Sequence, residues 1–514
     1  MSRKRKRHRA ENRVPACTPP AVPATEAVPE SGFPWAMGWV VLGMLLILGA
    51  ARGELWFDEI LSFQWARSAG SPLDLITLYR HDNNHPVNSL WIMALGDGWP
   101  PLFYRGLSVL AGLASLVLLH RMARSLCPRA AWLPVALGAT SFPLVLYFSE
   151  ARGYGVAVAC ALAAFSIVWQ TRRAWTVLSL VAFWTLCVLG FLSHGSFLMV
   201  LMSLGLWILV ADFRASRRPI HALLVAGVWV GPPALAGAWF LAYFLRPMLV
   251  AGGPEYTLAR VLGEFFGYGI GLPVSGPLLP VTFVVAAIAL VAGLALTAKT
   301  DPALGVFFGM VMLCAPVLSL VAGRGEFIYF RYFLVCLPFL YLLLGVIFDR
   351  LIGRFGATGR AWAGAAFAAF LIGQSQPIAG LLMHGRGEYA PALMAIHASP
   401  VADKTISSDQ DLRVGIVVEY YRKSVPSLRG LRYQPEWERS SKAPTWVIRH
   451  SQGPITAPPK ESVTMLEGNY RIQGEHVCGP VSGTHWRVYL REEDALHPKI
   501  LPEIHAKTRS PAGF

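Results

Sequence analysis

Apolar runs of roughly 17 to 25 residues recur between about residues 34 and 383 of this 514-residue chain, and at ~1.5 Å of helical rise per residue each matches the hydrocarbon thickness of a bilayer. Hydrophobic residues make up 54% of the sequence and charged residues only 15%, with a mean hydropathy of +0.47. Too little polar surface remains to cover a water-soluble globule, so a mainly α, polytopic membrane protein is expected. Backbone polar groups left unpaired in lipid are costly, which makes the runs helices. Candidate spans fall near 34–52, 103–123, 131–148, 153–170, 174–192, 196–211, 221–245, 276–297, 303–322, 331–349 and 362–383, about eleven in all.

Lys and Arg collect in the leader 1–33, which is basic and Pro-rich, and in "HRMARSLCPRAA", "QTRR", "RASRRP", at Lys299 and in "DRLIGRFGATGR". These are alternate connections, so the positive-inside rule puts the N-terminus in the cytoplasm and everything from His384 onward outside, as expected of a bacterial inner (plasma) membrane protein. The net charge of +15 and "RKRKRHR" (Arg3 to Arg9) are then accounted for by anionic membrane lipids, and no nucleic-acid partner is required. The seven cysteines include no CxxC pair and read as small core residues.

The first outer loop, 53–102, is long. Within it "PVNSLWIMAL" (Pro86 to Leu95) is apolar but too short to span and predicts an interfacial helix, as do "EILSFQWARS" and the Ser-led "SPLDLITLYR". Residues 384–514 have ordinary soluble composition. "PALMAIHAS" and "LRVGIVVEYYRKS" read as helices and "TISSD", "TWVIRH", "YRIQG" and "HWRVYL" as strands, which predicts a small α/β extracytoplasmic domain serving recognition or acting as a lid.

Polar and ionisable residues sit beside span ends on that same side. Asp58 and Glu59 follow the first span in "GELWFDEILS", and His85 closes "HDNNHP". Glu150, Arg152 and Tyr154 crowd "SEARGYG", His194 occupies "SHGS", and "GRGEFIYFRY" supplies Arg324, Glu326, Arg331 and Tyr332. Ionisable groups near membrane depth are unfavourable unless paired or lining a cavity, so their convergence on one face predicts a site. Each also has a plainer explanation. Carboxylates suit a helix N-terminus, Glu150 and Arg152 suit an ion pair at a turn, His194 suits a turn, and Arg331 and Tyr332 suit the lipid headgroup level.

The order "LWFDE", "HP" before an interfacial helix, "SEARGYG", His194 and "RYF…P" resembles that of the polyprenyl-phosphate-dependent membrane glycosyltransferases of the GT-C type, which include protein O-mannosyltransferases and lipid A aminoarabinose transferases. The resemblance covers about residues 34–383 and implies a GT-C-like bundle. It further implies a sugar donor carried on polyprenyl phosphate, an extracytoplasmic acceptor, and Asp58 as catalytic base, with Glu59 beside it. A single displacement of this kind needs one base and inverts the anomeric centre. Arg152 and Arg331 would hold the phosphate, with His85, Glu150, Tyr154, His194 and Tyr332 as further substrate-binding candidates. Asp58, Glu59 and His85 are suitable metal-ligand types, but their spacing carries no ligand signature, and no metal or other cofactor is assigned. The alternative function is a transporter or flippase of lipid-linked sugars. Transporters usually keep ionisable residues near the midplane, whereas these gather at one face.

Overall fold

The computed structural model describes residues 33–172, 174–249, 255–322, 328–438, 443–453, 455 and 457–495. The leader up to residue 32, together with Arg324 and Glu326, lies outside them. Among the described residues seven helices are long and apolar enough to cross a membrane, and shorter apolar helices at Ala36–Ala50, Val177–Ser193 and Pro302–Leu318 accompany them. The protein is an integral membrane protein built on a helix bundle.

Two of the expected spans are interrupted. The run 131–148 forms two helices, Trp132–Ala139 and Phe142–Phe148, with Ser141 capping the second by accepting from the Leu144 N–H. Side chains from distant helices close this break: Gln374 Oε1 accepts from the Phe142 N–H at 2.7 Å, and Tyr341 OH donates to Ser141 Oγ at 2.8 Å. Non-helical backbone at membrane depth is tolerated where protein partners satisfy it in this way. The run 303–322 contains a π-helical turn, Met310–Cys314. A helix absent from the expectation, Leu258–Ile270, occupies the connection between spans and is capped by Thr257.

In the long first loop, the helices Phe57–Ser68 and Pro86–Leu95 form as expected. The third, around residues 71–80, shrinks to Asp74–Thr77. The Phe57–Ser68 helix starts where Glu59 Oε2 accepts from the Trp56 N–H at 3.3 Å. Its acidic first turn also opposes the helix dipole favourably. Pro86 opens the second helix at a position whose N–H would have had no helical partner.

After the Ala357–His384 helix comes an α/β layer. Its strands are β1 (Thr405–Ser408), β2 (Arg432–Tyr433), β3 (Trp446–Gln452), β4 (Ser462–Met465), β5 (Gly468–His476) and β6 (Thr484–Arg491), in the order β2-β1-β3-β6-β5-β4. β1 pairs in parallel with β2 and β3, and the remaining pairings are antiparallel. The four strands read from the sequence are all present. β2 and β4 are short, and β4 is an exposed edge of alternating burial, so neither carries a strong apolar signal.

Side chains alternate across this sheet as the pleat requires. Val447, Tyr470 and Tyr489 form a core on one face. On the other, Trp446, Ile448, Trp486, Val488 and Leu490 pack against the helices Tyr389–Ala398 and Asp411–Ser424, and that same core takes in Leu55, Trp56, Phe57, Ile60 and Tyr104 of the first loop and the adjoining helix. The C-terminal layer and the first loop thus share one hydrophobic interior.

Glu59 anchors this end of the bundle. Its two oxygens take Arg105 Nε at 2.8 Å and Arg105 Nη2 at 2.6 Å, and Oε1 also takes the Ala151 N–H at 2.7 Å. Arg105 completes its hydrogen bonds on the carbonyls of Ala51, Gly53 and Glu54. Both side chains are fully buried. Burial alone would raise the Glu59 carboxyl, but the Arg105 guanidinium outweighs it and holds the group below the usual range. Glu59→Gln removes the charge and leaves Arg105 unanswered, so it should cost about 3–5 kcal/mol of stability, seen as a lower midpoint in thermal unfolding of the purified protein and as reduced membrane yield.

Candidate functional site

At the end of the bundle that carries the first loop, four connections meet: residues 51–85, the Ser149–Gly153 turn between the Phe142–Phe148 and Tyr154–Thr171 helices, the turn at His194, and the Phe330–Cys336 3₁₀ segment that opens the Leu337–Phe355 helix. Each supplies residues singled out from the sequence. The opposite end joins Arg129 to Asp349 and Arg172 to Asp301 across two other pairs of connections.

Arg152 is central. Its Nη1 lies 2.9 Å from Asp58 Oδ2 and its side chain is 2% exposed, while Nη2 donates to Asn83 Oδ1 at 2.7 Å. Asn83 in turn donates to the Asp58 carbonyl at 2.6 Å, and Ser62 Oγ donates to that carbonyl at 3.0 Å. The backbone bearing Asp58 is therefore fixed, while its carboxylate keeps an edge to the outside. Trp56 and Tyr154 flank the guanidinium at 5.9 and 5.1 Å. Although Nη1 touches Asp58, neither Nη1 nor Nε of Arg152 makes a well-directed hydrogen bond among the described residues, so these N–H groups stay available to a further acceptor.

Arg331 lies against Tyr329 at 4.4 Å and Tyr332 at 5.7 Å from the ring centres. Its buried Nε makes no hydrogen bond among the described residues. Tyr332 is 5.9 Å from His194, which is 4.4 Å from Tyr154 and 5.4 Å from His85. One continuous cluster thus gathers Asp58, His85, Arg152, Tyr154, His194, Arg331 and Tyr332.

Hydrogen bonds define the two histidines as different tautomers. His85 Nδ1 donates to the Ser193 carbonyl at 3.0 Å, which leaves Nε2 as an unpartnered buried acceptor. His194 Nδ1 accepts from the Ser196 N–H at 3.2 Å and also contacts Ser196 Oγ, so its proton is on Nε2. Burial, then Arg152 and Arg331, push the His194 ring down to about 3. Burial, with Arg152 and His194, lowers His85 well below the ordinary range. Both rings are neutral. The close approach needs a glycine at 153, because a Cβ there would meet the Ser193 oxygen at 1.9 Å.

Two expected site residues are held mainly by partners outside the cluster. Glu59 is committed to Arg105, Trp56 and Ala151 and does not face the cluster. Glu150 is also fully buried. It takes Arg386 Nε at 3.1 Å and Ser482 Oγ on Oε1, and its Oε2 lies 3.9 Å from Arg152 Nη1. Asn83, Asn88, Arg105 and Arg386 were not singled out from the sequence. Asn88 donates to the Ala151 carbonyl at 2.5 Å and helps fix the turn that carries Arg152. Both asparagines lie in or beside "HDNNHPVN", where adjacency to His85 was the only available signal. Arg105 and Arg386 resembled charges at span ends.

Chemically the cluster offers one partly exposed carboxylate and two guanidiniums whose Nε atoms make no hydrogen bond among the described residues, set between neutral rings. Guanidiniums with open N–H positions suit an anion that brings its own negative charge, phosphate above all. No group of three or more side chains able to hold a metal ion occurs among the described residues.

Comparison of the sequence with protein-family models and with curated proteins finds no match. In overall structure the chain is similar to ArnT from Cupriavidus metallidurans in the apo state, at 14% identity and a TM-score of 0.49, with 89% of this chain and 98% of that chain covered. It is also similar to ArnT from Cupriavidus metallidurans bound to undecaprenyl phosphate, at 15% identity and a TM-score of 0.46, with 81% and 93% covered.

The neutral histidines make stability depend on pH. In the unfolded chain both protonate near the ordinary value of about 6.5, so below it the unfolded state binds more protons than the folded one. Stability is then complete above that pH and declines as pH falls through it, by about 1.4 kcal/mol per unit for each ring. The unfolding midpoint of the purified protein should drop between pH 7 and pH 5, and His194→Gln should make that slope shallower.

Proposed function

We propose that the protein is a membrane glycosyltransferase that moves a sugar from a polyprenyl-phosphate donor to the hydroxyl of an extracytoplasmic acceptor, a cell-envelope glycan, lipid or protein. The observation that carries this reading is partly exposed Asp58 paired with Arg152 in a cluster that also holds Arg331, the Nε of each arginine making no hydrogen bond among the described residues. The basic residues at the other end of the bundle support a cytoplasmic assignment for that end. The site and the C-terminal domain from residue 384 onward would then face outward.

In the reaction the acceptor oxygen forms a bond to the anomeric carbon as the carbon–oxygen bond to the lipid phosphate breaks. Asp58 takes the acceptor's proton. The departing polyprenyl phosphate, already a stable anion, requires no acid. Arg152 and Arg331 hold it through charge-assisted hydrogen bonds that strengthen as negative charge gathers on its oxygens. Of the three carboxylates at 58, 59 and 150, Asp58 alone has an exposed edge, 16% of its side chain, the other two being fully buried. A single exposed carboxylate among these three favours a single displacement with inversion. Tyr154, Tyr329 and Tyr332 lie beside the two guanidiniums, and His194 Nε2–H and His85 Nε2 add a donor and an acceptor.

The test starts from a deletion strain and mass spectrometry of its envelope glycans, to find the product that disappears and that the wild-type gene restores. Asp58→Asn should reach the membrane in normal amount and fail to restore it. Arg331→Gln should weaken binding of undecaprenyl phosphate to the purified protein by about tenfold or more, as expected for loss of a charged hydrogen bond. Restoration of the glycan by Asp58→Asn would remove the base assignment. Movement of a lipid-linked sugar across liposomes without a covalent product would point to a flippase instead.

A further inference from the structure

Arg152 stands between two carboxylates of different character. Asp58 Oδ2 is 2.9 Å from Nη1 and partly exposed. Glu150 Oε2 is 3.9 Å from the same nitrogen, fully buried, and accepts no hydrogen bond among the described residues. The backbone ties the two residues as well, since the Arg152 N–H donates to the Glu150 carbonyl at 2.8 Å. A buried carboxylate oxygen left without a hydrogen bond is unfavourable unless a nearby charge compensates it, and Arg152 is the cation facing it.

Glu150 is itself held from the C-terminal side. Oε1 takes Arg386 Nε and Ser482 Oγ. Arg386 is fixed in turn by donating to the Ala50 and Leu146 carbonyls, both at 3.0 Å, and to Ser149 Oγ at 2.9 Å. The loop before β6 closes over it. Thr484 N–H and Tyr389 OH both donate to the Arg386 carbonyl, at 3.0 and 2.6 Å. Gly483 has a φ of +104°, and a Cβ there would meet that carbonyl oxygen at 2.1 Å, so this contact requires glycine.

We infer that Glu150, clamped by Arg386 and Ser482, is a positioning residue that shares Arg152 with Asp58, and that the C-terminal layer thereby completes the active site. This rests on the glycosyl-transfer reading above. A carboxylate that alone neutralised a buried guanidinium would give up basicity and hold its oxygen against the cation. Glu150 supplies a second counter-charge, so Asp58 can accept the acceptor's proton without leaving Arg152 unpaired.

Glu150→Gln tests this, because the amide oxygen can still accept from Arg386 and Ser482 while the charge facing Arg152 is gone. Arg152 then settles on Asp58. Restoration of the deleted glycan should fall roughly ten- to a hundredfold, whereas undecaprenyl phosphate should bind the purified variant about as well as wild type. Ser482→Ala, a milder change, should show the same split to a smaller degree and decides the matter if Glu150→Gln does not reach the membrane. Wild-type restoration by the variant that is expressed overturns the inference, and so does loss of undecaprenyl phosphate binding in step with transfer, which marks a purely structural role. If Asp58→Asn also restores the glycan, the glycosyl-transfer reading itself has failed, a result distinct from either of these.

Discussion

A guanidinium drawn into a helix bundle must find negative charge or carbonyl oxygens there, or the fold loses several kcal/mol. Among the described residues, Arg105, Arg386, Arg152 and Arg331 are drawn in at one end, and they differ in how completely they are answered. Arg105 meets a two-oxygen carboxylate and three carbonyls. Arg386 meets one carboxylate oxygen, two carbonyls and a hydroxyl. Arg152 has Asn83, a carboxylate in contact and another at a distance. Arg331 rests on tyrosine rings. The first two bind segments of the protein together, and the last two retain capacity for something the protein does not itself supply.

That gradation separates residues that look alike in sequence. Asp58 and Glu59 are neighbours on one helical turn, yet successive side chains on a helix point about 100° apart. Glu59 turns toward Arg105 and the bundle, and Asp58 toward Arg152 and the open edge. The same reasoning separates Glu150 from Arg152, two residues apart in one turn. The plainer explanations considered for these residues hold in part: Glu59 does cap its helix, and Glu150 does form a structural ion pair, although its hydrogen-bonded partner is Arg386.

Much of the fold was legible because it follows from periodicity. Long apolar runs, the ten-residue helix at Pro86–Leu95 and the four stronger strands each carry a local pattern. The convergence of seven candidate residues was legible from the order in which polar groups recur at alternate span ends. Long-range satisfaction was not. Gln374 closing a helix break 232 residues away, Arg105 answering Glu59 and Arg386 answering Glu150 all depend on which helices become neighbours. The amphipathic Leu258–Ile270 helix was read as part of a connection because its apolar positions are spaced around a turn and never form a run.

The interior shared by the first loop and the C-terminal layer bears on how the chain is made. Leu55, Trp56, Phe57 and Ile60 leave the ribosome some 350 to 430 residues before Ile406, Ile448 and Trp486, which belong to the same core. Helices can enter the bilayer one after another as they emerge, but the first loop keeps an uncovered apolar face until the last strands arrive. A chain stopped before Ser482 would keep the membrane helices described above and still lack that residue and the strand that seals this interior. Synthesis of the C-terminal strands is thus the step that covers the first loop, and an interrupted product would present exposed apolar surface for proteolysis to recognise.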